Sequence, residues 1–166
     1  MTDLRRKTFE RAIKLLAAKP RSVAELRERL LRAKNTDEAT VETVISRLRE
    51  YGYLNDERFA FSYASYKVKQ RPIGRRRLER DLKFKKVDSG VANEALEMVY
   101  AETSEEELID KAIEKRLRIR GKPTNRAEAK SLFDHLLRQG FDFELVSEKV
   151  RSLTTDDTDE VNSNGL

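Results

Sequence analysis

Apolar residues recur at helical spacing along almost the whole chain. Phe9, Ala12, Ile13, Leu16 and Ala17 fall at i, i+3, i+4, i+7 and i+8, the stripe of a helix with one buried face. Pro20 ends that helix. Ser22, with Glu25 three residues on, has the pattern of a capping box and opens a second helix that presents Val23, Leu26 and Leu30. A third, with Val41, Val44, Ile45 and Leu48, runs to Tyr51 and stops at Gly52, which can take the left-handed conformation past a C-terminus. The plan then repeats. Asn55 or Asp56 caps a helix carrying Phe59, Tyr63 and Tyr66, which Pro72 terminates. Gly74 leads into one with Leu78 and Leu82, and Asp88 or Ser89 into one with Val91, Ala95 and Val99. The third round opens at Ser104-Glu105-Glu106-Glu107, a second capping-box pattern, ahead of Ile109, Ala112 and Ile113, and ends at Gly121 and Pro123. Asn125 then caps a helix with Ala129, Leu132, Phe133, Leu136 and Leu137, which Gly140 closes. Asp142 caps the last, with Leu145, Val146 and Val150, and Phe141 with Val146 has the spacing of a hydrophobic staple. No period-2 alternation is long enough for a strand, so the fold class is all-α.

Three rounds of three helices predict an internal repeat. The middle helix of each round carries Leu-x-x-x-Leu, at Leu26/Leu30, Leu78/Leu82 and Leu132/Leu136, offset by 52 and 54 residues. The expected organisation is three tandem three-helix modules, at residues 1–53, 54–102 and 103–153, forming an elongated, curved array. Residues 154–166 hold only Val161 and Leu166 as large apolar residues and are expected to form a disordered acidic tail.

Charge sharpens this picture. The 166 residues carry a net +5, yet residues 154–166 hold Asp156, Asp157, Asp159 and Glu160 and no base, which leaves +9 on the remainder. Within it, Lys67, Lys69, Arg71, Arg75, Arg76, Arg77, Arg80, Lys83, Lys85 and Lys86 stand against only Glu79 and Asp81, a local +8. A positive field concentrated in so short a segment suits a polyanion or an acidic protein surface. At 100° per residue, Arg76, Arg80 and Lys83 point opposite Leu78 and Leu82, with Arg75 and Arg77 beside them. Lys115, Arg116, Arg118, Arg120 and Lys122 make a secondary basic cluster. Six of the twelve aromatics (Tyr51, Tyr53, Phe59, Phe61, Tyr63 and Tyr66) lie just upstream of the basic helix. They suit either stacking on single-stranded bases or core packing, and for Phe59 and Tyr63 packing is the expectation.

Catalytic chemistry finds little support. There is no cysteine and one histidine, His135, too few soft ligands for the usual zinc sites, and its expected role is structural or at the surface. The six glycines are isolated, so no loop is built to cradle phosphates, and the carboxylates sit among Lys and Arg at the spacing of solvated helix pairs. No catalytic residue, metal or cofactor is expected. No apolar run approaches a membrane span and no secretory h-region follows Met1, which makes the cytoplasm the expected compartment and leaves a membrane out of the expected partners.

Gly52-Tyr53-Leu54-Asn55-Asp56-Glu57-Arg58-Phe59-Ala60 resembles the Gly-Tyr-Leu-Asp-Asp-x-Arg-Phe-Ala signature of the RecX family of bacterial regulators. Arg21-Ser22-x-x-Glu25-Leu26-x-x-Arg29-Leu30 is similar to that family's first-module motif, Gly74-x-x-Arg77-Leu78-x-x-Asp81-Leu82 to its second, and Leu136-x-Arg138-x-Gly140-Phe141 to its third. The resemblance implies tandem three-helix repeats. It also implies a non-enzymatic role in recombination and DNA repair: binding in the helical groove of the RecA–DNA filament and restraint of filament growth, ATP hydrolysis and strand exchange. Asn55 stands for the usual first Asp, and Lys86 stands where the family often has Gly, which weakens a helix C-cap. The family supplies no catalytic residues, and Gly52–Ala60 reads as fold-determining.

The expected partners are therefore the RecA filament and single- and double-stranded DNA without sequence preference, bound by a monomer. Two other readings remain open. One is a free-standing helix-turn-helix DNA-binding protein, which residues 75–86 disfavour because they contain no Asn, Gln, Ser or Thr to read bases. The other is a scaffold whose basic face binds an acidic protein.

Overall fold

The computed structural model describes residues 2–159. Nine helices and no strand are present among them: α1 Asp3–Ala18, α2 Val23–Leu31, α3 Glu38–Glu50, α4 Asp56–Gln70, α5 Arg75–Phe84, α6 Ser89–Glu102, α7 Glu105–Arg120, α8 Arg126–Arg138 and α9 Phe143–Asp159. Polar side chains start most of them by taking up the orphan amides of a first turn. Ser22 forms a complete capping box: its Oγ accepts the Glu25 amide at 3.1 Å while its own amide donates to the Glu25 carboxylate at 3.1 Å. At Ser104 only the serine half closes among the described residues, with the Glu107 amide donating to Oγ at 3.1 Å. Glu105, Glu106 and Glu107 fill the first turn of that helix, where the positive end of its dipole favours them.

One compact unit comprises Met1–Ala64 with Asp81–Leu96. There α1 packs on α2 and α3. Ala12, Leu26, Leu30, Val41, Val44, Ile45, Leu48 and Leu54 close a continuous core, with Phe9, Ile13, Leu15, Leu16 and Val23 against its rim. Gly52 ends the α3 run at φ +73, and the Tyr53 and Leu54 amides return to the Leu48 carbonyl. The second unit comprises Ser65–Arg80 with Glu97–Leu166, in which α8 packs on α7 and α9. Ile73, Leu78, Ile109, Leu136, Phe141 and Val146 are fully buried, so both members of the expected staple lie inside. Here Gly74 and Gly140 meet backbone to backbone. The Gly74 amide donates to the Gln139 carbonyl at 2.9 Å and the Arg76 amide to the Gly140 carbonyl at 3.1 Å. A Cβ on either glycine would collide with the other segment, and Gly140 is held at φ +90.

Two stripes differ from expectation. On α4 the buried face is Phe59, Ala60, Ala64 and Val68, while Tyr66 is exposed. On α6 it is Ala92, Ala95, Leu96 and Val99, with Val91 half-buried. In both helices alanines hold the close-packed face, and the larger side chain lies off it. The helix α9 runs on to Asp159, so residues 154–159 of the expected tail are helical, and residues 160–166 lie outside the described residues.

Candidate functional site

Helix α5 is built as an amphipathic rod. Leu78 and Leu82 are fully buried, and Arg76, Arg80 and Lys83 are exposed on the other side, as the 100° geometry requires. The ten expected cations separate by what they touch. Arg80, Lys83, Lys69 and Arg71 are exposed and make no ion pair among the described residues. Arg76 is exposed too, but its Nη2 donates to Asp142 Oδ1 at 2.8 Å. Arg75 folds back, its Nε on Glu79 at 3.1 Å and its amide on Glu105 Oε1 at 3.2 Å. Burial raises the Glu105 carboxyl above its usual range, with Asp142 adding to the rise and the Arg75 amide opposing it. Arg77 and Lys67 are half-buried, and the Arg77 guanidinium reaches the Arg138 carbonyl at 3.5 Å.

Lys85 and Lys86 serve the first unit. Lys85 is only 16% exposed, pairs with Glu25 at 3.0 Å, and sets its ammonium 5.2 Å from the Tyr63 ring and 5.9 Å from that of Phe59. Ser22 Oγ also donates to the Lys85 carbonyl at 2.7 Å. Lys86 takes φ 55, the left-handed position that closes α5, and pairs with Glu28. Sequence reasoning missed Phe84, the last residue of α5, which is 88% exposed beside Lys83. Its signal was an aromatic at a position off the Leu78–Leu82 stripe.

In the second unit, Arg118 pairs with Glu114 at 2.9 Å, whereas Lys115, Arg116, Arg120 and Lys122 make no ion pair among the described residues. Arg71 and Pro72 come to the same pocket as Lys115, Arg116, Ile119 and His135, a cavity of about 190 Å³. One residue of the first basic cluster thus joins two of the second. His135 is half-buried, and its imidazole is held below its usual range first by burial and then by Arg116 and Arg138. No group of side chains suited to a metal ion occurs among the described residues, and no helix among them is long and apolar enough to cross a membrane.

The aromatics separate in the same way. Phe59 is buried and stacks on Tyr63 with centroids 6.0 Å apart, as expected for packing. Tyr51 and Tyr53 are exposed and meet edge to face at 6.4 Å. The segment Gly52–Ala60 performs structural work at nearly every position. Asn55 Oδ1 accepts the Arg58 amide at 2.9 Å, Asp56 Oδ1 accepts the Val23 amide at 2.8 Å, and Arg58 Nη2 donates to the Gly52 carbonyl at 2.6 Å. Leu54, Phe59 and Ala60 are buried.

These features coincide with known proteins. Family models for the first and second three-helix domains of RecX match residues 9–48 and 55–96. The regulatory protein RecX of Bacillus subtilis is 33% identical over 142 residues, 86% of this chain and 53% of that protein. The chain spans about half the length of the Bacillus relatives it matches. The regulatory protein RecX of Amycolatopsis mediterranei is 31% identical over 157 residues, covering 92% of this chain and 89% of that one. The crystal structure of RecX from Lactobacillus salivarius superposes with a TM-score of 0.80 at 21% identity, over 93% of this chain and 99% of that one, and so shares the all-α fold. With the signature residues each placed in that fold and a relative matched over nearly its full length, the chain belongs to the RecX family of regulatory proteins.

Proposed function

We propose that this chain is a non-enzymatic regulator of recombination and DNA repair that binds the RecA–DNA filament, in its helical groove, and restrains filament growth, ATP hydrolysis and strand exchange. The observation that carries the reading is the α5 face, where Arg80 and Lys83 stand exposed and without an ion pair among the described residues, opposite two fully buried leucines. A cationic row held by a packed helix meets phosphates or a carboxylate row at no cost in ordering its backbone. In this reading the DNA contact is to the phosphate backbone, which a row of exposed cations meets whatever the base sequence. Such a partner places the protein in the cytoplasm.

The test is RecA-dependent ATP hydrolysis on single-stranded DNA with increasing amounts of the protein. The rate is expected to fall as the protein approaches stoichiometry with RecA. An unchanged rate at stoichiometric excess, with DNA binding intact, would replace this reading with a free-standing DNA-binding protein.

A further inference from the structure

The pocket of the second unit gathers positive charge. Arg71 from the segment after α4, and Lys115 and Arg116 from α7, line a cavity of about 190 Å³ and make no ion pair among the described residues. His135 on α8 adds to the wall, and Asp134 beside it is engaged by Lys130 at 2.7 Å. Pro72, Ala112 and Ile119 supply an apolar wall, with Ile119 70% exposed. Cations left uncompensated around a concavity call for an anion. Two arginines converging from different segments suit the oxygens of a phosphate, and an exposed isoleucine beside them suits the face of a base or sugar.

We propose that this pocket takes one internucleotide phosphate of a single DNA strand, with the adjoining base or sugar against Ile119. The assignment rests on the nucleic-acid half of the function proposed above and is independent of its RecA half. A single strand fits better than a duplex, because its bases are free to leave the stack and lie on protein side chains. His135 reports on the occupant. Unliganded, its proton is disfavoured by burial, by Arg116 and by Arg138, with Lys115 and Arg71 lining the same pocket. A bound phosphate offsets that field and raises the His135 pKa, so the complex takes up a proton and binding tightens as pH falls.

His135 is the one histidine of the chain, so its ring Cε1 proton gives a single NMR line from these 166 residues. Titration with oligo(dT) is expected to move that line to saturation and to raise its titration midpoint. Arg71→Ala with Arg116→Ala should abolish the movement and weaken oligo(dT) binding about tenfold, with the melting temperature unchanged. Arg80→Ala with Lys83→Ala should raise the oligo(dT) concentration at which the line moves but leave the size of the movement at saturation unchanged, which separates this pocket from the α5 face. Saturating DNA binding with the line and its midpoint unmoved would overturn the proposal. So would thymidine monophosphate, inorganic phosphate or a duplex of equal length moving the line at the same concentration as the oligonucleotide. Absence of any oligo(dT) binding at low salt would overturn both the pocket and the nucleic-acid half of the function, whereas a failed RecA assay alone leaves the pocket standing.

Discussion

Lys86 shows how one side chain can carry a cost for the segment around it. At φ 55 it is the one non-glycine residue with positive φ among those described, and it closes α5 through bonds from its own amide to Lys83 and from Val87 to Leu82. The left-handed conformation costs a residue with a Cβ roughly 1–2 kcal/mol, and glycine escapes it. Lys86→Gly is therefore expected to raise stability by about 1 kcal/mol, read as a higher urea midpoint at an unchanged slope. The exposed pair with Glu28 that it forgoes offsets little of this. The position was legible in the sequence, because the resemblance placed a glycine there. Lys85 was not, since its neighbours Glu25, Phe59 and Tyr63 come together only when distant segments pack.

At the scale of the helix, α5 buries one face, with Leu78 and Leu82, and exposes the other, which the function proposed above assigns to binding. Leu78→Ala empties a fully buried site and is expected to cost about 2–5 kcal/mol. Arg80→Ala with Lys83→Ala removes exposed side chains and substitutes a good helix former, so the thermal midpoint should hold. The same double variant should bind single-stranded DNA with a shallower dependence on salt, by up to about 0.7 in the log–log slope for each phosphate it no longer neutralises. Fluorescence anisotropy over a salt series measures it, and a slope equal to the parent's would move the DNA-binding face off α5. Arg76 is kept out of the pair because its bond to Asp142 gives it a structural share. The helices were legible in the sequence because caps, prolines and glycines mark their ends. The inward faces of α4 and α6 were less so. Ala60, Ala64 and Ala92 carry the packing there, and alanine adds too little hydrophobic signal to outweigh a tyrosine or valine one turn away. The candidate site was half legible: the charge run pointed to α5, but not to which cations its neighbours neutralise. The meeting of Arg71 with Lys115 and Arg116 left no trace in spacing.

For the molecule as a whole, charge acts over distance. Residues 154–166 contribute −4 to a chain of net +5, so their removal leaves +9. Loss of these residues is expected to tighten DNA binding at low ionic strength, with the gain fading as the Debye length shrinks to about 10 Å near 0.1 M salt. Equal affinities at low salt would show that these acids do not compete with DNA. The approach of Gly74 to Gly140 has a consequence of a different kind, in the order of events by which the chain folds. Helices α7 and α8 are neighbours in sequence and meet across a short loop, whereas the clasp joins segments far apart: Arg76 and Asp142, which flank it, are 66 residues apart. Closing so long a loop costs entropy before any bond rewards it, so the clasp is expected to form on the late, native side of the folding barrier. Gly74→Ala, whose Cβ meets the Gly140 backbone, should accordingly speed unfolding and leave the refolding rate nearly unchanged in a stopped-flow chevron. The two glycines then act as a latch on the finished structure, setting how long it lasts once formed and having little part in how fast it forms.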